Sequence, residues 1–197
     1  MMEFSTNSER DEEPGSLFFD CQDPTTSSDL TPETWGHFVT NSSGKFQKVS
    51  PEKNRIPSAL DVAAYIVERL GEISTMKLQK LVYYSQAWSL VWDERPLFKE
   101  PIEAWANGPV VRDLYDYHRG AFSIGSIQTG NPNRLDSTAR ETINAVLDFY
   151  GNKSAQYLIQ LSHSEEPWLN ARKGLKDGER GSRLIPNSFI AEYYSSL

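Results

Sequence analysis

Apolar positions recur at helical spacing in a series of windows along this chain, and between two of them the period switches to alternation. Val62, Ala63, Ile66, Val67 and Leu70 follow one face, with Ser58 and Asp61 placed as a capping box and Gly71 as the stop, so the spacing predicts a helix over residues 59–70. A second helix is predicted over 75–92, with Leu78, Leu81, Val82, Ser85, Trp88 and Trp92 on its buried stripe and Tyr83, Tyr84 and Gln86 beside or opposite it. Pro96 and Pro101 interrupt the helical period, and Ile102 and Ala104 then alternate with Glu103 and Trp105. That alternation predicts a short strand, paired with an extended segment within residues 122–128. Asn107-Gly108 reads as a turn, with Pro109 in the first turn of a helix over 109–118. Further helices are predicted over 137–150, over 154–162 with Ser154 as cap, and over 186–195, the last packing Phe189, Ile190 and Tyr193. A small helix over 32–39 would start at Thr31, with Leu30 stapled against Trp35, and polar linker continues to Pro57. The expected fold is mainly α: one compact helical domain over 56–197 with a small β element, preceded by an acidic extension over 1–55.

Charge separates these two regions. Residues 1–50 carry nine Asp and Glu against three Lys and Arg, whereas residues 51–197 carry eighteen against seventeen. The acidity therefore belongs to the extension, and the first 29 residues have too little apolar surface to offset chain entropy. Leu17-Phe18-Phe19 is an apolar exception that suits docking. A nearly neutral domain without a basic stripe argues against binding a phosphate backbone. Cys21 is the only cysteine and the three histidines show no zinc-site spacing, so neither a disulfide, a metal nor another cofactor is expected. No apolar run reaches about 18 residues and no basic, apolar leader opens the chain, which predicts a cytoplasmic protein without a membrane partner.

Candidate chemistry is sparse. His163 with Glu165 and Glu166 is the one grouping suggestive of a hydrolase; the plainer reading puts His163 at a helix C-terminus and the carboxylates in the next turn. Arg172, Lys173, Lys176, Arg180 and Arg183 sit among Asp177, Glu179 and three glycines, which reads as a mobile solvated loop, with a nucleic-acid contact as the sharper alternative. Five tryptophans exceed what a small core hides easily. Leu81 and Trp88 are assigned to the core; Tyr84, Trp105 and the Asn107-Gly108-Pro109 turn suit core and interface equally.

The order of these phrases carries a resemblance. Met76-Lys77-Leu78-Gln79-Lys80-Leu81-Val82-Tyr83-Tyr84-Ser85-Gln86-Ala87-Trp88, then Arg95-Pro96-Leu97-Phe98, then Pro101-Ile102-Glu103-Ala104-Trp105, then Gly108-Pro109-Val110, and finally His163 with Pro167-Trp168, resemble the Panacea family. That is the SocA-like antitoxin domain of bacteria, phages and prophages, phage-associated GepA-like proteins included. The resemblance implies a mostly helical, non-enzymatic antitoxin of a type II toxin–antitoxin pair that neutralises a cognate protein toxin by direct contact. Relatives pair with unrelated toxins, alarmone-synthetase-like enzymes among them, and the SocA member delivers its toxin to a ClpXP-type protease, a second partner to expect here. It assigns no role to Lys77, Lys80, Gln86, His163 or Trp168. Asn107 departs from the family, where an aromatic or basic residue is common before the glycine. The expected toxin-binding residues are Tyr84, Trp105, Asn107, Gly108 and Pro109, extended by Phe18, Phe19 and Trp35. The alternatives are a DNA-binding phage regulator and the small hydrolase using His163, Glu165 and Glu166.

Overall fold

A computed structural model describes residues 56–197 and, before them, two short strands. The strands, β1 (Phe38–Thr40) and β2 (Phe46–Lys48), pair antiparallel with Val39 opposite Gln47. They belong to a unit spanning Met1–Val49, separate from the unit Ser50–Leu197. Phe38 and Val39 are thus extended where the helix over 32–39 was expected to end, and the linker contains a strand; β-branched and aromatic residues such as Phe38, Val39 and Phe46 favour pairing once a second strand is at hand. The rest of that expected helix, with Phe18, Phe19 and Trp35, lies outside the described residues.

The larger unit is mainly α. Helix α1 (Ala59–Leu70) carries the predicted capping box between Ser58 and Asp61, and ends at Gly71 with φ +75°. Asp61 does more than cap: fully buried, its carboxylate also accepts from the Asn131 N–H at 2.7 Å and lies 3.7 Å from Arg134, tying the 131–134 segment to α1. Helix α2 (Thr75–Trp92), capped by Ser74, is the central element; α4 (Ser137–Tyr150) and α7 (Asn187–Ser195) pack on it, as do α1 and α5 (Ala155–Ser164). The remaining helices are α3 (Arg112–His118) and α6 (Glu166–Ala171).

Because neighbours cover α2 on several sides, every residue from Leu78 to Ala87 is buried, not one stripe of it. Tyr83, Tyr84 and Gln86 are therefore core residues, while Trp92, expected on the stripe, is 51% exposed, and Trp88 is only partly covered. On α7 the same correction applies: Ile190 is buried as expected, but Phe189 is exposed and Tyr194 turns inward in its place.

Two small two-stranded sheets complete this unit. β4 (Ile102–Trp105) pairs with β5 (Gly108–Val111), not with residues 122–128, and β6 (Ser123–Ile124) pairs with β3 (Ile73–Ser74). The nearby partner closes a far shorter loop and so costs less chain entropy. Trp105 faces Gly108 across the turn, whose φ of +101° suits glycine. Pro109 lies within β5, so the helix expected at 109 begins only at Arg112. β4 also takes hydrogen bonds on its other edge, from Ala104 N to Arg183 O and from Ile185 N to Ile102 O.

Leu81 is fully buried within this core. Leu81→Ala is expected to cost about 2–5 kcal/mol through lost transfer energy and the cavity left behind, read as a lower urea midpoint at unchanged slope.

Candidate partner-binding groove

The polar residues of α2 act as clamps on distant backbone. Gln79 exchanges two hydrogen bonds with Val111, accepting from its N–H at 2.9 Å and donating to its carbonyl at 3.3 Å. Gln86 accepts from the N–H groups of Leu97 and Phe98 at 2.8 and 3.1 Å and donates to the Phe98 carbonyl. Lys80 donates to the Pro109 carbonyl at 2.8 Å, and Lys77 to that of Gly151 at 2.6 Å. The Gln79 and Lys80 bonds, with the pairing to β4, hold 108–111 extended, so Pro109 does not open a helix. A β-carbon at Gly108 would lie 2.5 Å from Lys80 Nζ and 2.8 Å from Ser162 Oγ, so the glycine permits this close approach as well as its φ.

Burial brings Lys80 and Glu165 to the same titration range from opposite sides. Lys80 is fully buried, and desolvation lowers its ammonium to about 7. Glu165 accepts from Tyr194 at 2.7 Å and Tyr84 at 3.3 Å, yet burial outweighs both hydroxyls and raises its carboxyl to about 7. Tyr84 stacks on Tyr150 at 4.3 Å and meets Tyr83 edge-on at 5.3 Å. Burial first, then the Glu165 charge, holds the Tyr83 and Tyr84 phenols above their ordinary range.

His163 stacks face to face on Trp168 at 4.0 Å, and its buried Nε2 has no hydrogen-bond partner among the described residues. Burial lowers its pKa, with Lys80 and Arg172 adding to the shift. Trp168 donates to the Trp105 carbonyl at 2.9 Å, which ties the histidine phrase to β4. Among the described residues no hydrogen bond joins His163 to Glu165 or Glu166; Glu165 faces tyrosines and Glu166 is exposed. The three do not form a hydrogen-bonded acid–base set.

Tyr84, Gly108 and Pro109 are buried, whereas Asn107 is exposed and Trp105 partly so. Trp105 and Asn107 line a groove of about 770 Å³ together with Gln79, Arg112, Tyr115, Asp116, His118, Arg119 and residues 180–182. Its wall is a run of ring contacts, Trp105 on Tyr115 at 4.6 Å and Tyr115 on His118 at 5.7 Å, with the Arg112 guanidinium 5.6 Å over the Trp105 ring. Gln79 holds His118 Nε2 at 3.0 Å, and burial lowers the pKa of that imidazole.

The loop from 173 to 183 is built in, not merely solvated. Arg172, expected among its surface cations, is buried over Trp168 at 5.1 Å and donates to the carbonyls of Ala104 and Glu179 at 3.1 and 2.7 Å. Arg183 donates to the Lys173 carbonyl at 2.8 Å. This places Arg180 on the groove. The sequence did not mark Arg112, Tyr115, His118 and Arg119 as site residues; the spacing of three from Arg112 through Tyr115 to His118 on one helix was the available signal.

Among the described residues no cluster of three or more His, Cys, Asp or Glu suits a metal ion, and no helix is long and apolar enough to cross a membrane. Residues 78–169, just under half of the chain, match the family described as antitoxin SocA-like, Panacea domain, in agreement with the resemblance read from the sequence. No curated protein and no solved structure matches the chain.

Proposed function

We propose that this chain, whose residues 78–169 carry the SocA-like Panacea domain, is a non-catalytic antitoxin that neutralises one cognate protein toxin by direct contact through the groove beside Trp105 and Asn107. The observation that carries the reading is the family match over the stretch that builds most of that groove, from Gln79 to Arg119. A rigid aromatic wall next to a turn, set on a buried scaffold, is the kind of surface that concentrates binding energy. Delivery of the captured toxin to a ClpXP-type protease would be a further step on the same complex.

Co-expression tests the reading. The product of the neighbouring reading frame is expected to arrest growth alone, to be tolerated when this chain is present, and to co-purify with it. Trp105→Ala is expected to weaken that complex about tenfold or more while the protein stays folded. A neighbour that is harmless, or neutralised without any complex forming, would sink the proposal.

A further inference from the structure

The antitoxin reading leaves the chemistry of the captured segment open, and the groove itself narrows it. Resting on that reading, we infer that the groove takes an acidic segment of the toxin, its carboxylates on Arg119 and Arg180 and an apolar side chain against Trp105 and Tyr115.

The chain has a formal net charge of −7, yet its groove lining holds three arginines against the single carboxylate of Asp116. Arg112 is already committed, 3.6 Å from Asp116 and 3.8 Å from Glu103, besides covering the Trp105 ring. Arg119 and Arg180 are exposed and form no ion pair among the described residues. A guanidinium presents a planar fork of donors that matches a carboxylate bidentately, so two such forks beside an aromatic wall complement an acidic, partly apolar peptide. Phe122, next in sequence to Ala121 of the lining, is 86% exposed.

The same census disfavours nucleic acid. A phosphate track needs a row of free cations, but Arg172 donates to the Ala104 and Glu179 carbonyls and Arg183 to that of Lys173.

The test uses the full chain and two fluorescent hexapeptides, Glu-Glu-Phe-Asp-Glu-Leu and its uncharged analogue Gln-Gln-Phe-Asn-Gln-Leu, with a duplex DNA 20-mer alongside. The acidic peptide is expected to bind at least about tenfold more tightly than the analogue. Arg119→Glu combined with Arg180→Glu is expected to remove that preference and, in the co-expression assay, neutralisation, without changing thermal stability. Equal binding of the two peptides, or tighter binding of DNA, overturns the inference. So does a double variant that neutralises the neighbour's product as well as the parent, which would leave the antitoxin reading intact with its contact elsewhere. If the parent fails to neutralise while charge-dependent peptide binding persists, the antitoxin reading falls and the groove's preference for acidic segments stands.

Discussion

Tyr84→Ala is expected to destabilise the protein by about 3–5 kcal/mol, the range for truncating a buried aromatic side chain, with roughly 1 kcal/mol more for the hydrogen bond lost to Glu165. The ring is fully buried, stacked on Tyr150 at 4.3 Å and edge-on to Tyr83 and Tyr194 at 5.3 and 6.3 Å, so little can collapse into the space it leaves. Set against a total stability of about 5–15 kcal/mol, this loss is a large fraction, and the thermal midpoint should fall by about 10 °C or more. Tyr84→Phe keeps the ring and removes only the hydroxyl donor at 3.3 Å, so it should cost far less. Urea titration of the pair separates cavity from hydrogen bond. A Tyr84→Ala protein as stable as its parent but unable to bind toxin would make Tyr84 a contact residue after all.

Glu165 and Lys80 together should contribute a term to stability that is smallest near pH 7. The Glu165 carboxyl is raised by burial from 4.5 to about 7 in the folded state, so the folded protein holds a proton that the unfolded chain has released. Its contribution is complete below about pH 4.5 and is lost as pH rises through about 7. Lys80 is lowered by burial from 10.5 to about 7, which has the opposite sign: its contribution is complete above about pH 10.5 and is lost as pH falls through about 7. Glu165→Gln should therefore flatten the descending limb between pH 4.5 and 7, and Lys80→Met the ascending limb above 7. Denaturant midpoints of parent and variants from pH 4 to 10 give the two difference curves. A Glu165→Gln curve parallel to the parent's across the acidic limb would show that the carboxyl titrates normally.

Helix positions were legible because their signals are local. Ser58, Ser74, Asp136 and Ser154 each accept from a backbone N–H three residues on, a contact that depends on nothing elsewhere in the chain. Gly71 closes α1 at the predicted place, and α4 ends at Tyr150 as its predicted range requires. The strand over 102–105 was equally visible in its alternation, though its partner was not, since period-2 spacing names a strand without saying which neighbour lies closest.

What Lys77, Gln79, Lys80 and Gln86 do could not be read from the sequence, where they look like the polar face of an amphipathic helix. Their acceptors lie on residues such as Phe98, Pro109, Val111 and Gly151, and only the folded chain brings those carbonyls to α2. Burial on several sides then decides the rest: it places Tyr84 in the core, sets the titration of Lys80 and Glu165, and leaves Trp105 and Asn107 to form the groove with Tyr115, Arg119 and Arg180. The sequence by itself determined the helices near 59–70, 75–92, 137–150, 154–162 and 186–195 and the family phrase, because these depend on residues a few positions apart. Tertiary structure alone decided which polar groups are buried and which residues line the groove, because both depend on what packs against them from tens of residues away.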